Sequence, residues 1–229
     1  MKKLLLAAVC AICALTASAQ RASSTSSSFF STEKADQGVT IGIRAGLNFA
    51  KWTGDFDEPT DTRTAFHVGV IADIPLMQSL YIQSGLYFQS KGCKFEEEMY
   101  NWSDKVTTSP MYLEIPILAS YRYDFGDAAQ LQVNFGPYFA VGIAGKYKEE
   151  IEDGSDFYKT DVDIFDSDEG ILNRFDCGLQ VGAGVTFAQH YYLGFAYQFG
   201  LTNMTNEDNV GSEVSTKNSN WMLSLGYNF

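Results

Sequence analysis

The sequence predicts an all-β protein: an eight-stranded antiparallel up-and-down transmembrane β-barrel. Three observations predict it. From Gly38 to the C-terminus, apolar residues recur at every second position in eight successive segments, the period of a strand with one apolar face. Short and long connections between these segments alternate, as in barrels with tight turns on one side of a membrane and long loops on the other. Beyond the N-terminal leader, no run stays apolar for the roughly 20 residues that a membrane helix needs.

The N-terminus stands apart from this pattern. Met1-Lys2-Lys3 is followed by an apolar run from Leu4 to Leu15 and by Ala17-Ser18-Ala19. A basic start, a short apolar core and a small-x-small site make residues 1–19 a secretory signal peptide, cleaved before Gln20. Neither Cys10 nor Cys13 follows the small residue that a lipid-attachment site requires. Residues 20–37 are rich in Ser and Thr, lack periodicity and read as a flexible periplasmic leader, with Phe29-Phe30 its one apolar spot. The barrel domain takes residues 38–229. Without Lys2 and Lys3 the chain keeps 14 basic against 28 acidic residues, a net charge of −14. That balance argues against nucleic acid, which calls for a basic face. Cys93 and Cys177 remain after cleavage; the strand map puts them on non-neighbouring strands facing opposite ways, so two unpaired thiols are expected.

The first strand sets Ile41, Ile43, Ala45, Leu47 and Phe49 against Thr40, Gly42, Arg44, Gly46 and Asn48. The second sets Phe66, Val68, Val70, Ala72 and Ile74 against His67, Gly69, Ile71 and Asp73. The third sets Leu80, Ile82, Leu86 and Phe88 against Tyr81, Gln83, Gly85, Tyr87 and Gln89. The fourth sets Met111, Leu113, Ile115, Ile117, Ala119 and Tyr121 against Tyr112, Glu114, Ser120 and Arg122. The fifth sets Leu131, Val133, Phe135, Phe139, Val141 and Ile143 against Gln132, Asn134, Gly136, Tyr138 and Gly142. The sixth sets Phe175, Leu179, Val181, Val185 and Phe187 against Arg174, Gly178, Gln180, Gly182 and Gly184. The seventh sets Tyr191, Leu193, Phe195, Tyr197 and Phe199 against Tyr192, Gly194, Gln198 and Gly200. The last sets Trp221, Leu223, Leu225, Tyr227 and Phe229 against Asn220, Ser224, Gly226 and Asn228. Short links fall near 75–79, 124–129 and 188–190, and long ones near 51–63, 94–108, 147–173 and 204–217. Both termini then lie on the short-turn side.

Volume decides which face points inward. An eight-stranded barrel is just wide enough for side chains or one small ligand. It cannot enclose about five large apolar side chains from every strand, whereas Gly, Ser, Gln and Asn fit a narrow bore. The apolar face therefore looks outward, which only lipid tolerates. Aromatics near strand ends, among them Phe49, Trp52, Tyr121, Phe187, Tyr191 and Trp221, sit where interfacial girdles belong.

Several segments also resemble a known family. They are Gly42-Ile43-Arg44-Ala45-Gly46-Leu47-Asn48, Gly85-Leu86-Tyr87-Phe88-Gln89-Ser90-Lys91-Gly92 and, most specific, Tyr112-Leu113-Glu114-Ile115-Pro116-Ile117-Leu118. Gly136-Pro137-Tyr138, Gly178-Leu179-Gln180-Val181-Gly182-Ala183-Gly184 and the closing Leu225-Gly226-Tyr227-Asn228-Phe229 follow in order. Together they resemble the PorT-like outer-membrane β-barrel family, also labelled porin-family proteins, over about residues 38–229. The resemblance implies the barrel fold and a bacterial outer-membrane location. The family's namesake is linked to a protein-secretion system. The terminal Phe229, with Tyr227 two residues before it, resembles the signal read by the barrel-assembly machinery. Pro116 and Pro137 lie inside strands, where a missing ladder donor calls for a bulge or bend.

By parity, Arg44, His67, Asp73, Glu114 and Arg122 face the lumen. Charges there must be paired or hydrated, so a polar network that stiffens the barrel is expected. Asp73 and Arg122 both lie near the periplasmic rim and are expected to pair. Only two histidines exist; His190 falls in a periplasmic turn and His67 faces away from lipid. Neither is placed for an acyl hydrolase, so no catalytic residue is assigned and no enzyme is expected. The acidic runs at 148–154 and 161–170 miss the spacing of an EF-hand, and no metal or cofactor is assigned. The expected role is structural or surface-interacting, through long acidic external loops that meet an extracellular partner. A narrow pore, or an accessory in transport or protein secretion, is the alternative.

Overall fold

Large apolar side chains alternating with small or polar ones leave each segment only one face that water tolerates. Pairing the segments edge to edge then satisfies every ladder group only when the sheet closes on itself. The computed structural model describes residues 38–54, 60–99, 102–126, 128–153, 156–165, 170–206 and 215–229. The signal peptide and leader expected over 1–37 lie outside the described residues.

Ten strands follow one another: β1 (Thr40–Gly54), β2 (Asp61–Pro75), β3 (Leu80–Ser90), β4 (Cys93–Met99), β5 (Trp102–Asp124), β6 (Ala129–Asp153), β7 (Asp156–Asp163), β8 (Phe175–Phe187), β9 (Tyr191–Gly200) and β10 (Thr216–Asn228). Eight of them, β1-β2-β3-β5-β6-β8-β9-β10, form an antiparallel ring that β1 and β10 close from Gly42↔Asn228 to Gly54↔Thr216. β4 prolongs β3 past a break at Gly92. The backbone there runs at φ 112°, and a Cβ would stand 2.1 Å from the Thr108 carbonyl oxygen, so only glycine fits. β7 lies on the same flank of β6 as β8 but farther out: it pairs with Lys146–Asp153 and β8 with Ala129–Val141. The three-residue β8–β9 connection, Ala188–His190, holds Ala188 and Gln189 at positive φ, and His190 N–H donates to Phe187 O at 3.0 Å.

The apolar face is outermost. Val70, Phe135, Phe195 and Leu225 are half or more exposed, while Gln132, Asn134 and Asn220 on the opposite face are buried. Aromatics cluster at both strand ends: Phe195, Tyr197 and Trp221 stack toward the outside, and Tyr191, Tyr227 and Phe229 meet edge to face beside the short turns. Pro116 and Pro137 sit at a two-residue gap in the β5–β6 ladder, whose register shift falls elsewhere, at Met111/Tyr112. Cys93 is buried, Cys177 is half-buried, and both are free thiols.

Two sequence expectations need correcting. The connections read as long loops at 51–63, 94–108 and 147–173 are largely strand, because β1, β4, β5, β6 and β7 run on past the apolar belt. Their apolar alternation fades because water lies on both faces, and cross-strand charge pairs take over. Arg174, read as lumen-facing, is exposed just ahead of β8, where its guanidinium donates to the carbonyls of Gly142 and Phe165.

Beyond the belt, β4, β5, β6 and β7 make a four-stranded external sheet. Its outer face carries the row Glu96, Lys105, Glu150, Lys159, with ion pairs of 2.7 Å from Lys105 to Glu96 and from Lys159 to Glu150. The hydrogen bond from Lys159, then its charge, holds the Glu150 carboxyl below the usual carboxylate range. A lowered folded pKa gives stability that is full above the ordinary carboxylate range and disappears as pH falls through the lowered value. The pairs are exposed and salt-screened, so the effect is local. Acidification is expected to weaken amide-exchange protection across β6–β7 while leaving the barrel ring protected; equal protection at neutral and acid pH sinks this account.

Candidate functional site: the bore and its external mouth

Each ring strand sends every second side chain into the bore, and these settle at three levels. At the short-turn end, Arg122 Nη2 of β5 lies 2.6 Å from Asp73 Oδ1 of β2, a charge contact without an aligned N–H. The Arg122 guanidinium lies over the Tyr81 ring at 4.2 Å, and Gln83 donates to Asp73 at 2.8 Å.

Midway, Arg44 of β1 donates to Asn228 Oδ1 at 2.8 Å and to its neighbour's carbonyl at Ile43, and lies 4.0 Å over the Tyr192 ring. Its room comes from Gly226, where a Cβ would meet the Arg44 side chain at 2.4 Å. His67 uses both ring nitrogens, Nδ1 to Asn48 Oδ1 at 2.8 Å and Nε2 to Ser224 Oγ at 2.9 Å. Asn48 spends its amide N–H groups on Phe66, Gln89 and Ser90, so its oxygen accepts from a protonated Nδ1, and Nε2 accepts from Ser224. A cavity of about 20 Å³, room for one water, lies here among Arg44, Gln83, Tyr87, Glu114 and Asn134.

The outer level holds Glu114, and with it two residues the sequence reading missed. Lys91 Nζ, fully buried, donates to Glu114 at 2.9 Å and to Asp176 at 3.3 Å. It lies 4.2 Å from the centre of the Tyr138 ring. Gln198 donates to the other Glu114 oxygen. Asp176 also accepts from Asn218 at 2.8 Å, Thr202 at 3.1 Å and Tyr138 at 3.4 Å. One ammonium thus answers two carboxylates, and neutral donors supply the rest, as buried charge demands.

Above this triad the mouth is apolar. Ile164 and Phe165, just after β7, fold inward with Leu172 and Met204 against Tyr112, Tyr138 and Ala140. Phe165 meets Tyr112 edge to face at 6.0 Å. Gly142 and Gly145 make the space, since a Cβ at either would strike Phe165 or Ile164 within 2.5 Å.

The five lumen residues expected from sequence therefore do not form one cluster. Asp73 and Arg122 share the short-turn level, Arg44 and His67 occupy separate mid-level groups, and Glu114 belongs to the outer triad. Lys91 lies two residues beyond Gln89, and Asp176 lies between Arg174 and Gly178, both on the inward parity of their strands, so parity alone would have found them. Tyr227 and Phe229, expected as an assembly signal, stand outward at the end of β10, where Phe229 N–H donates to Ile41 O at 2.9 Å. Among the described residues no group of His, Cys, Asp and Glu is gathered as for a metal ion.

Among curated proteins none matches the chain. Solved structures resemble it distantly. The attachment invasion locus protein Ail of Yersinia pestis is 15% identical, with 83% of this chain and 99% of that chain covered and a TM-score of 0.42. OprG of Pseudomonas aeruginosa is 14% identical, with 86% and 97% covered and a TM-score of 0.44. Neisserial surface protein A is 12% identical, with 84% and 100% covered and a TM-score of 0.40. The family assignment rests instead on the sequence over residues 19–206, which matches the outer membrane protein β-barrel domain. With the closed ring and the outward apolar belt already in place, the chain belongs to that outer-membrane β-barrel family.

Proposed function

We propose that this outer-membrane barrel is non-enzymatic, has a closed bore and acts at the cell surface through its external sheet and acidic loops. The observation that carries the reading is the bore itself: side chains occupy all three levels, and the cavity among them has room for one water. An apolar plug of Ile164, Phe165, Leu172 and Met204 lies over them. In this reading the signal peptide directs export, and Tyr227 and Phe229 present the chain to the barrel-assembly machinery. The PorT-like motifs keep a role in protein secretion as a narrower form of the proposal.

A second reading, a narrow pore, has one observation in its favour. Buried charges succeed one another along the axis, from Asp73 and Arg122 through Arg44 to Glu114, Lys91 and Asp176, as groups that pass protons or ions do. Planar-bilayer recording separates the two. The closed reading expects insertion without discrete openings at neutral pH; reproducible unitary steps would replace it with the pore.

A further inference from the structure

Among the described residues, the external sheet ends in an open edge. Among the described residues β7 pairs with β6 alone and terminates the strand order. An unpaired edge of this length is a template for another strand. Its sequence, from Tyr158 to Val162, is Tyr-Lys-Thr-Asp-Val, with the charges on the outer face of the sheet and Tyr158 and Val162 on the other. Tyr158 is 63% exposed and Val162 36%.

We infer that the partner of this edge is a second copy of the same chain, joined antiparallel through β7 about a two-fold axis at Thr160. The inference rests on the proposed surface role and names the partner. Antiparallel neighbours point to the same face, so a self-paired strand must centre on a residue. Centring on Lys159 or on Asp161 sets like charges face to face. Centring on Thr160 sets Lys159 against Asp161 twice and Tyr158 against Val162 twice. The charge pattern then continues across the junction. Glu96, Lys105, Glu150 and Lys159 of one copy are followed by Asp161 and Lys148 of the other, which oppose each other within that copy's own sheet. Such an isologous contact closes as a dimer, because each copy uses its one open β7 edge.

The two-fold axis lies across the strands, so the copies point in opposite directions. The dimer therefore joins two facing membranes. Thr160 aligns through Glu149 with Val106, five residues beyond Met111. At roughly 3.3 Å per residue along tilted strands, the two apolar belts stand about 23–27 Å apart, which suits membranes with little surface sugar.

The test uses the full-length barrel in phosphatidylcholine vesicles, with clustering read by light scattering, and in detergent, with dimerisation read by analytical ultracentrifugation. Wild type is expected to cluster vesicles and to dimerise. Lys159→Glu alone sets acids against each other, and Asp161→Lys alone sets lysines against each other; each is expected to weaken the dimer about tenfold, two cross-strand pairs being altered. An equimolar mixture of the two variants again opposes unlike charges and is expected to recover clustering, although each variant has lost its own internal ion pair. Both sites are exposed, and circular dichroism checks that the barrel forms. A dispersed, monomeric wild type overturns the inference, as do variants that cluster like wild type or a mixture that stays dispersed. None of these outcomes bears on the closed bore, which the bilayer recording tests separately.

Discussion

Lys91→Met is expected to destabilise the barrel by about 3–5 kcal/mol, the range seen when one partner of a buried ion pair is removed. The methionine fills the same space, so little of this comes from packing. The penalty arises because Glu114 and Asp176 are left facing each other across a site with 0–1% exposure, deprived of the ammonium that both contact. Unfolding by urea in lipid bilayers, followed by tryptophan fluorescence, reads the loss. The double variant Lys91→Met/Glu114→Gln is expected to lose less than the sum of its single variants, with a coupling of about 1–3 kcal/mol, since it removes a charge of each sign. A single variant within about 1 kcal/mol of wild type would mean that water already reaches the triad, and the closed-bore reading would go with it.

The same triad shows what the sequence could and could not convey. Parity within the apolar alternation assigned inward residues in all eight ring strands, because lipid on one side and a narrow bore on the other impose opposite demands on neighbouring positions. Asp73 and Arg122 sit beside short turns, which gave a ground for setting them together. Lys91 lies where the alternation gives way, against the Gly92 break, and Asp176 is the second residue of β8, between Arg174 and Gly178. The inward set ends at Gln89 in the third segment, and in the sixth it passes from Gly178 to Arg174 without Asp176. The external sheet was illegible for a related reason. With solvent on both faces there is no apolar period, and its order resides in cross-strand partners such as Glu96 with Lys105, whose register no single strand records. The plug was harder still, since Ile164 and Phe165 are embedded in an acidic stretch and turn inward only because Gly142 and Gly145, some twenty residues earlier, leave room.

Phe165→Ala tests that last point and carries the other large effect. Truncating a buried phenylalanine costs about 3–5 kcal/mol where the surroundings cannot collapse. Phe165 is 2% exposed, but it sits on a connection that can open without unfolding the ring, so the loss is expected mainly as local opening. Three amides report it: Gly142 N–H, which donates to Arg174 O at 2.6 Å, Leu172 N–H, which donates to Ile164 O at 3.1 Å, and Asn173 N–H, which donates to Met204 O at 2.7 Å. Their hydrogen exchange is expected to quicken by about a hundredfold or more, the factor that about 3 kcal/mol of lost local stability implies, while β1, β2 and β10 keep their protection. Gly142→Val attacks the same contact from the barrel wall, since its Cβ would stand 2.3 Å from the Phe165 ring, and is expected to reproduce the pattern. Neither change is expected to open a conducting path, because the groups around Lys91 and Arg44 still occupy the bore below. Unchanged exchange at all three amides in both variants would mean that Phe165 rests on the mouth without holding it shut, and closure would then fall to the charged levels alone.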